Sequence, residues 1–201
     1  KAVISDDIVF YDKDFQKIDK ESKTIDWEMD AIDKNGFEDY MLKEIHEQPE
    51  ALKNTLNGIV SLNNPINFVN FSLDKNYLEK LKQIYIVACG TAMHAGLVGK
   101  YAIEKLCRIP VNVEVASEFR YQDPILDENT LCIFISQSGE TADTIAALKL
   151  ARENKAKIVA VTNVFESSIT READHTLYTH AGPEIAVAST KAYISQVGLI
   201  V

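Results

Sequence analysis

The segment Ser136-Gln137-Ser138-Gly139-Glu140-Thr141 puts three hydroxyls, a carboxamide and a glycine into six consecutive positions. Ser136, Ser138 and Thr141 can each donate an O–H, Gln137 offers its amide, and Gly139 lets the backbone bend so that neighbouring N–H groups converge. The chemistry such a cluster can do is to hold an oxyanion. If the segment joins a strand to a helix, the helix dipole adds roughly half a positive charge at that end, enough to favour a phosphate without any Lys or Arg in the loop. Glu140 must then point away from the anion. Plain helix capping is the competing account, because Ser and Thr are ordinary N-cap residues. One hydroxyl would suit capping; three with a glycine exceed it.

Two other segments carry comparable residues: Cys89-Gly90-Thr91, and the run from Glu184 to Lys191 that contains Val187 and Ser189. Thr91 reads as an N-cap that could also donate to a sugar hydroxyl, and capping is the better account of that residue taken alone. Ser189 is a cap or a ligand donor, and Lys191 is a solvated charge or a helper for an anion, the solvated reading being the better one for a single lysine. Other chemistries find little support. There is no G-x-x-x-x-G-K-S/T and no G-x-G-x-x-G, so nucleotide binding recedes. His46, His94, His175, His180 and the cysteines Cys89, Cys107 and Cys132 lack metal-ligand spacing, and no metal or cofactor is expected. Gln137-Ser138-Gly139 lacks the glycine that would open a G-x-S-x-G elbow. Cys89 followed by His94 invites a nucleophile pair, but a cysteine ending an apolar strand is more often an inert core thiol.

The elements around these loops follow a regular alternation. Short apolar, β-branched runs at 84–88, 111–115, 131–135, 157–162 and 176–179 read as strands. They alternate with helical patterns over 92–107, 117–121, 141–153 and 167–173 and a helix opening near Ser189; over 92–107 the apolar face is Ala95, Val98, Ala102 and Leu106. The fold class is therefore α/β, a doubly wound parallel sheet in a flavodoxin-like three-layer sandwich. Ligands of such sheets bind beyond the carboxyl ends of the strands, where all three loops fall. A short β/helical lead-in precedes the sheet: strands at 7–11 and 15–18 around Asp12-Lys13-Asp14, then a polar linker over 19–36. From Phe37 a helical pattern places Tyr40, Ile45 and Leu52 on an apolar side and Glu38, Lys43, Glu47 and Lys53 toward water, with Pro49 ending or restarting it. Asn63-Asn64-Pro65 marks a loop and 77–82 a short helix. The apolar helical pattern is still running at Val201, so the full protein is expected to continue.

Composition limits the partners. A formal net charge of −9 over 201 residues opposes nucleic acid and anionic membranes, and 46% hydrophobic residues argue for a packed core. No apolar run is long enough to span a bilayer, and three unpaired-looking cysteines point to a reducing, cytoplasmic compartment.

Taken together, three stretches strongly resemble the glutamine–fructose-6-phosphate aminotransferase (glucosamine-6-phosphate synthase) family. They are Ile86-Val87-Ala88-Cys89-Gly90-Thr91, Ile135-Ser136-Gln137-Ser138-Gly139-Glu140-Thr141-Ala142-Asp143-Thr144 and Ala181-Gly182-Pro183-Glu184-Ile185-Ala186-Val187-Ala188-Ser189-Thr190-Lys191-Ala192. The stretch from Tyr40 to Pro49 resembles the join between that family's glutaminase domain and its isomerase half, so the likeness covers nearly the whole chain. The resemblance implies a division into a remnant and linker of the preceding glutaminase domain at 1–36 and a first sugar-isomerase (SIS) module at 37–201. It also implies that Ser136, Gln137, Ser138 and Thr141 cradle a phosphate, that Thr91, Val187 and Ser189 contact the sugar, and that the molecule is a homodimer. Ala92 stands where relatives often carry a serine. Fructose 6-phosphate and glucosamine 6-phosphate are the implied ligands, with glutamine used by the full-length enzyme. The family's cysteine nucleophile, isomerase base, ring-opening histidine and sugar-linking lysine have no counterpart here, so no catalytic residue is assigned. A sugar-phosphate-sensing SIS module of a transcription regulator is the alternative, and it would need a DNA-binding segment that residues 1–80 do not show. A stand-alone phosphosugar isomerase is weakened by the lead-in.

Overall fold

The computed structural model of the chain describes residues 2–4, 8–20, 33–61, 66, 68 and 71–201. Most of the expected 19–36 linker and the Asn63-Asn64-Pro65 loop lie outside these residues. The chain starts with an antiparallel ribbon of β1 (Ala2–Ile4), β2 (Ile8–Tyr11) and β3 (Lys17–Ile18). The sequence predicts only the last two strands, and starts the second too early. Asp12 Oδ1 accepts from Asp14 N and Gln16 N, both at 2.9 Å, and Phe15 takes a left-handed φ of 59°, so the turn runs on until Lys17.

Helix α1 (Tyr40–Leu56) opens with Asp39, whose carboxylate accepts from Leu42 N at 2.7 Å. The expected faces of this helix hold only in part: Glu38 and Lys53 do face water, but Lys43 and Ile45 are interchanged. Lys43 is only 2% exposed and Glu44 2%, whereas Ile45 is 42% exposed. The buried row Glu44, Ala51, Thr55 keeps helical spacing but is polar at its start, because Glu44 finds partners more than 140 residues along the chain, while its neighbour Lys43 is matched by Glu47 one turn on and by the Asp33 carbonyl. Nor does Pro49 end the helix; it lies exposed inside it. The lost backbone bond there is offset by packing of α1 on the last helix along both halves, where the Thr55 hydroxyl also donates to the Thr179 carbonyl. Helix α2 (Lys75–Lys80) begins two residues earlier than the pattern suggests because Asp74 caps Asn76 N and Tyr77 N.

The remaining elements alternate as the sequence predicts: β4 (Gln83–Ala88), α3 (Gly90–Cys107), β5 (Val111–Val115), α4 (Ala116–Phe119), β6 (Thr130–Ser136), α5 (Ala142–Glu153), β7 (Lys157–Thr162), α6 (Ser168–Glu172), β8 (His175–Tyr178) and α7 (Lys191–Ile200). The five strands are parallel in the order β5-β4-β6-β7-β8, the flavodoxin-like order with its switch point between β4 and β6. Period-two alternation splits the core between the two faces. Val87, Phe134 and Ile158 pack with Phe119, Leu148 and Ile169 on one side, and Ile84, Ile86, Ala88, Ile135, Val159 and Val161 pack toward Leu199 and Ile200 on the other.

Helix α3 departs from its predicted face. It buries Ala92, Ala95, Gly96 and Gly99, while Val98 is exposed and Leu106 is 74% exposed. Close approach explains this: a Cβ on Gly99 would lie 2.1 Å from Ile200 Cγ2, and one on Gly96 2.7 Å from Ile86 Cγ2. Only the smallest residues fit against α7 and the sheet, so the larger ones turn outward.

Candidate functional site

The loops after β4 and β6 meet at the switch point, and the loop before α7 closes over them. Together they bound a half-open cleft of about 210 Å³, lined by all seven residues expected to touch ligand: Thr91, Ser136, Gln137, Ser138, Thr141, Val187 and Ser189. Cys89, Ala92, Ile135, Glu184, Ala186 and Gln196 complete the lining. The volume lies below the ~300–1,000 Å³ of drug-sized pockets, which suits a small ligand better than a nucleotide.

The β6 loop is stapled by its own hydroxyls. Ser136 Oγ, at the buried end of the strand, accepts from Gly139 N at 3.0 Å and pairs with Thr141 Oγ1 at 3.1 Å. Ser138 Oγ accepts from Glu140 N at 3.2 Å. Since a hydroxyl accepts without surrendering its proton, Ser138 keeps a donor, and the Ser136–Thr141 pair keeps one between its two hydroxyls. Gly139 makes the bend, with φ of +66°. Glu140 faces away from the cleft and clips the start of α6, its Oε1 accepting from Ser168 N and its Oε2 from Ser168 Oγ, each at 2.7 Å. The Ser168 hydroxyl and N–H, helped by the nearby Arg171 charge, hold the Glu140 carboxyl below the usual range, against a smaller opposing effect of desolvation.

The three helix N-termini bordering the cleft are not equivalent. Thr141 occupies the N-cap position of α5 without a side-chain capping bond, and Cys89 does so for α3, so Thr91 lies inside the first turn and is not the cap. At α7 the cap position belongs to Thr190, and Glu184 Oε1 takes the Thr190 and Ala192 amides at 2.8 and 3.1 Å. Ser189 Oγ donates to Glu184 Oε2 at 3.0 Å, which leaves it lone pairs for a ligand hydroxyl. An anion is thus better received by the unclosed ends of α5 and α3 than by α7, whose dipole already faces a carboxylate. Capping does not account for Thr141, whose hydroxyl is turned to Ser136.

Lys191 corrects a second expectation: it is buried at 4% exposure and pairs with Glu47 Oε2 at 2.6 Å, so it neither faces solvent nor lines the cleft. Cys89 borders the cleft half-buried, whereas Cys132 on β6 is fully buried and its thiol is pushed up to about 12 by desolvation. Among the described residues no three His, Cys, Asp or Glu side chains gather as metal ligands would, and no helix is long and apolar enough to cross a membrane. The sequence reading passes over Glu44, Glu184 and Gln196. Gln196 is fully buried with neither amide atom bonded to any of the described residues, and its sequence signal is a polar Ser195-Gln196 pair inside an otherwise apolar helix.

The chain is similar to known proteins over most of its length. The SIS domain model matches residues 77–201. The chain is 57% identical over 191 residues to a glutamine–fructose-6-phosphate aminotransferase (isomerizing) of Clostridium tetani, and 55% identical over 195 residues to that of Clostridium acetobutylicum. These alignments cover 95% and 97% of this chain but 31% and 32% of the relatives, so the chain spans about a third of their length. Its fold is similar to the C-terminal domain of glucosamine-fructose-6-phosphate aminotransferase from Francisella tularensis, with a TM-score of 0.74 and 43% identity over 84% of this chain and 47% of that one.

Proposed function

This chain belongs to the SIS domain family, and on that premise we propose that it is the phosphosugar-binding module of a glutamine–fructose-6-phosphate aminotransferase, the enzyme that makes glucosamine 6-phosphate from fructose 6-phosphate and glutamine. In this reading residues 1–36 are the remnant and linker of a preceding glutaminase domain, and 37–201 form the first SIS module. Ser136, Gln137, Ser138 and Thr141 grip the phosphate; Thr91, Val187 and Ser189 meet the sugar. The module supplies substrate binding while the catalytic groups and glutamine hydrolysis belong to other parts of a cytoplasmic homodimer. No metal, cofactor, nucleic acid or membrane enters the reading.

One observation carries it. Three loops far apart in sequence converge on a single cleft at the switch point, with two helix N-termini unclosed toward it and no cationic side chain in its lining. Such a site is suited to one compact dianion and offers little to a long polyanion. The sensor reading has less behind it, since the identity to named aminotransferases extends over the lead-in as well.

Calorimetric titration tests the assignment. Glucose 6-phosphate should bind the 201-residue chain and unphosphorylated glucose should not. Ser138→Ala combined with Thr141→Ala should remove about tenfold or more of the affinity, the worth of one or two charge-assisted hydrogen bonds. Equal affinity for the two sugars would overturn it.

A further inference from the structure

The loop that carries Val187 and Ser189 is held from the lead-in helix. Glu44 Oε1, on α1, accepts from Ile185 N at 2.5 Å and Ala186 N at 3.0 Å, and its Oε2 accepts from Thr190 Oγ1 at 3.3 Å. That carboxylate is buried at 2% exposure and lies more than 140 residues upstream of the groups it binds. One turn further along α1, Glu47 Oε2 meets Lys191 Nζ at 2.6 Å and Glu47 Oε1 meets Lys43 Nζ at 3.5 Å. Lys43 also donates to the Asp33 carbonyl at 2.5 Å. Glu184, which lines the cleft, ties the other end of the loop through Ser189, Thr190 and Ala192. The backbone from Ile185 to Thr190 is therefore suspended between two carboxylates, one on α1 and one its own. None of the bonds stapling the β6 loop involves α1.

We propose that Glu44 is a positioning residue for the sugar half of the site, so that the docking of α1 and the fit of a phosphosugar are one coupled equilibrium while the phosphate half stands independently. The proposal rests on the reading given under Proposed function. Its physical basis is that two adjacent N–H groups bound to one buried carboxylate fix the peptide planes on either side, and with them where Val187 and Ser189 sit. Loss of that acceptor leaves two amides to re-solvate, and the loop then has to be re-ordered by the ligand at a cost in affinity. Linkage makes the effect reciprocal: a sugar phosphate that needs the ordered loop must stabilise the contact between Glu44 and that loop.

The test compares two ligands on the same 201-residue chain. Glu44→Met should lower glucose 6-phosphate affinity about tenfold or more while inorganic phosphate affinity stays within about twofold. Glu44→Gln, which keeps one oxygen able to accept both amides, should recover most of the loss. Should Glu44→Met fail to fold, Thr190→Val gives a milder version of the test, since it removes the hydroxyl that lies 3.3 Å from Glu44 Oε2 and 3.5 Å from Glu184 Oε1 and leaves both amides bound to Glu44 in place. Hydrogen exchange supplies an independent readout: in the parent, glucose 6-phosphate should slow exchange at Ile185 and Ala186 and in α1, and inorganic phosphate should not. Parallel losses for both ligands, or no change in either, would overturn the positioning role. If the parent itself fails to prefer glucose 6-phosphate over glucose, the assignment of the site falls first.

Discussion

The Glu140 carboxylate sits on the start of α6, taking both the Ser168 N–H and the Ser168 hydroxyl at 2.7 Å. This contact joins the β6 loop to the β7–α6 connection and turns a negative charge away from the cleft beside it. Because those donors favour the ionised form, the folded-state pKa lies below the ordinary 4.5. The contribution is therefore fully present above pH 4.5 and is lost as pH falls through the lowered value. The gap in melting temperature between the parent and Glu140→Gln should stay constant from neutral pH down to about 4.5 and close below it. A gap that widened on acidification would contradict this sign.

Gly139 is constrained twice. Its φ is +66°, and a Cβ there would lie 2.1 Å from Ser167 Oγ and 2.8 Å from Ile169 Cγ2. The left-handed backbone costs a side chain roughly 1–2 kcal/mol, and crowding a packed contact adds roughly 1–3 kcal/mol. Gly139→Ala should therefore lose about 2–5 kcal/mol in urea unfolding and shift the loop that carries Ser138. Gly58→Ala provides the contrast: φ is +80° but no atom of the described residues lies within 4 Å of an added Cβ, so only the backbone cost should appear.

The thiols give a labelling order. Cys107 is exposed, Cys89 half-buried in the cleft wall, and Cys132 buried with its thiol raised to about 12 by desolvation. Reaction needs both thiolate and access. Cys107 should react first with a disulfide reagent, Cys89 should follow and be slowed by glucose 6-phosphate, and Cys132 should react only after denaturation. Labelling of Cys132 in the folded chain at neutral pH would show that β6 is not packed as described.

How far the sequence is legible follows from where each residue's partners lie. The strand Lys157–Thr162 lies where its β-branched run puts it, because a strand inside the sheet and covered on both faces is apolar almost throughout, whereas Val111–Val115, at the sheet edge, is legible from the period-two alternation of its valines with Asn112 and Glu114. The β6 loop takes the strand-to-helix position its sequence implies, and its hydroxyls bond within the loop itself. Helix α1 misleads because burial of Glu44 depends on the Ile185 and Ala186 amides and the Thr190 hydroxyl, while Lys43 beside it is matched by Glu47 and the Asp33 carbonyl. A pattern rule that sends charge outward cannot see acceptors and donors so far along the chain. Helix α3 misleads by the opposite route: its contact face is chosen by the lack of side-chain volume at Gly96 and Gly99, and hydrophobicity scoring counts that as no signal.

Lys191 and Lys53 make a controlled pair for the buried network. Both pair with a glutamate of α1, but the Lys191 side chain is 5% exposed against 33% for Glu47, whereas Lys53 and Glu50 are 75% and 64% exposed. Removing one member of a buried pair leaves its partner's charge poorly compensated, which costs several kcal/mol in fully enclosed cases. Glu47 is partly solvated and keeps Lys43 at 3.5 Å, so about 2–3 kcal/mol is expected for Lys191→Met. Lys53→Met should change stability by about 0.5 kcal/mol or less, as exposed pairs do. Urea midpoints at equal unfolding slope measure both changes. Adding 1 M salt should erase whatever the Lys53 pair contributes and leave most of the Lys191 difference, since only the exposed charges are within reach of screening ions. Equal losses for the two variants would mean that the charges joining α1 to α7 are solvated and do not hold the helices together.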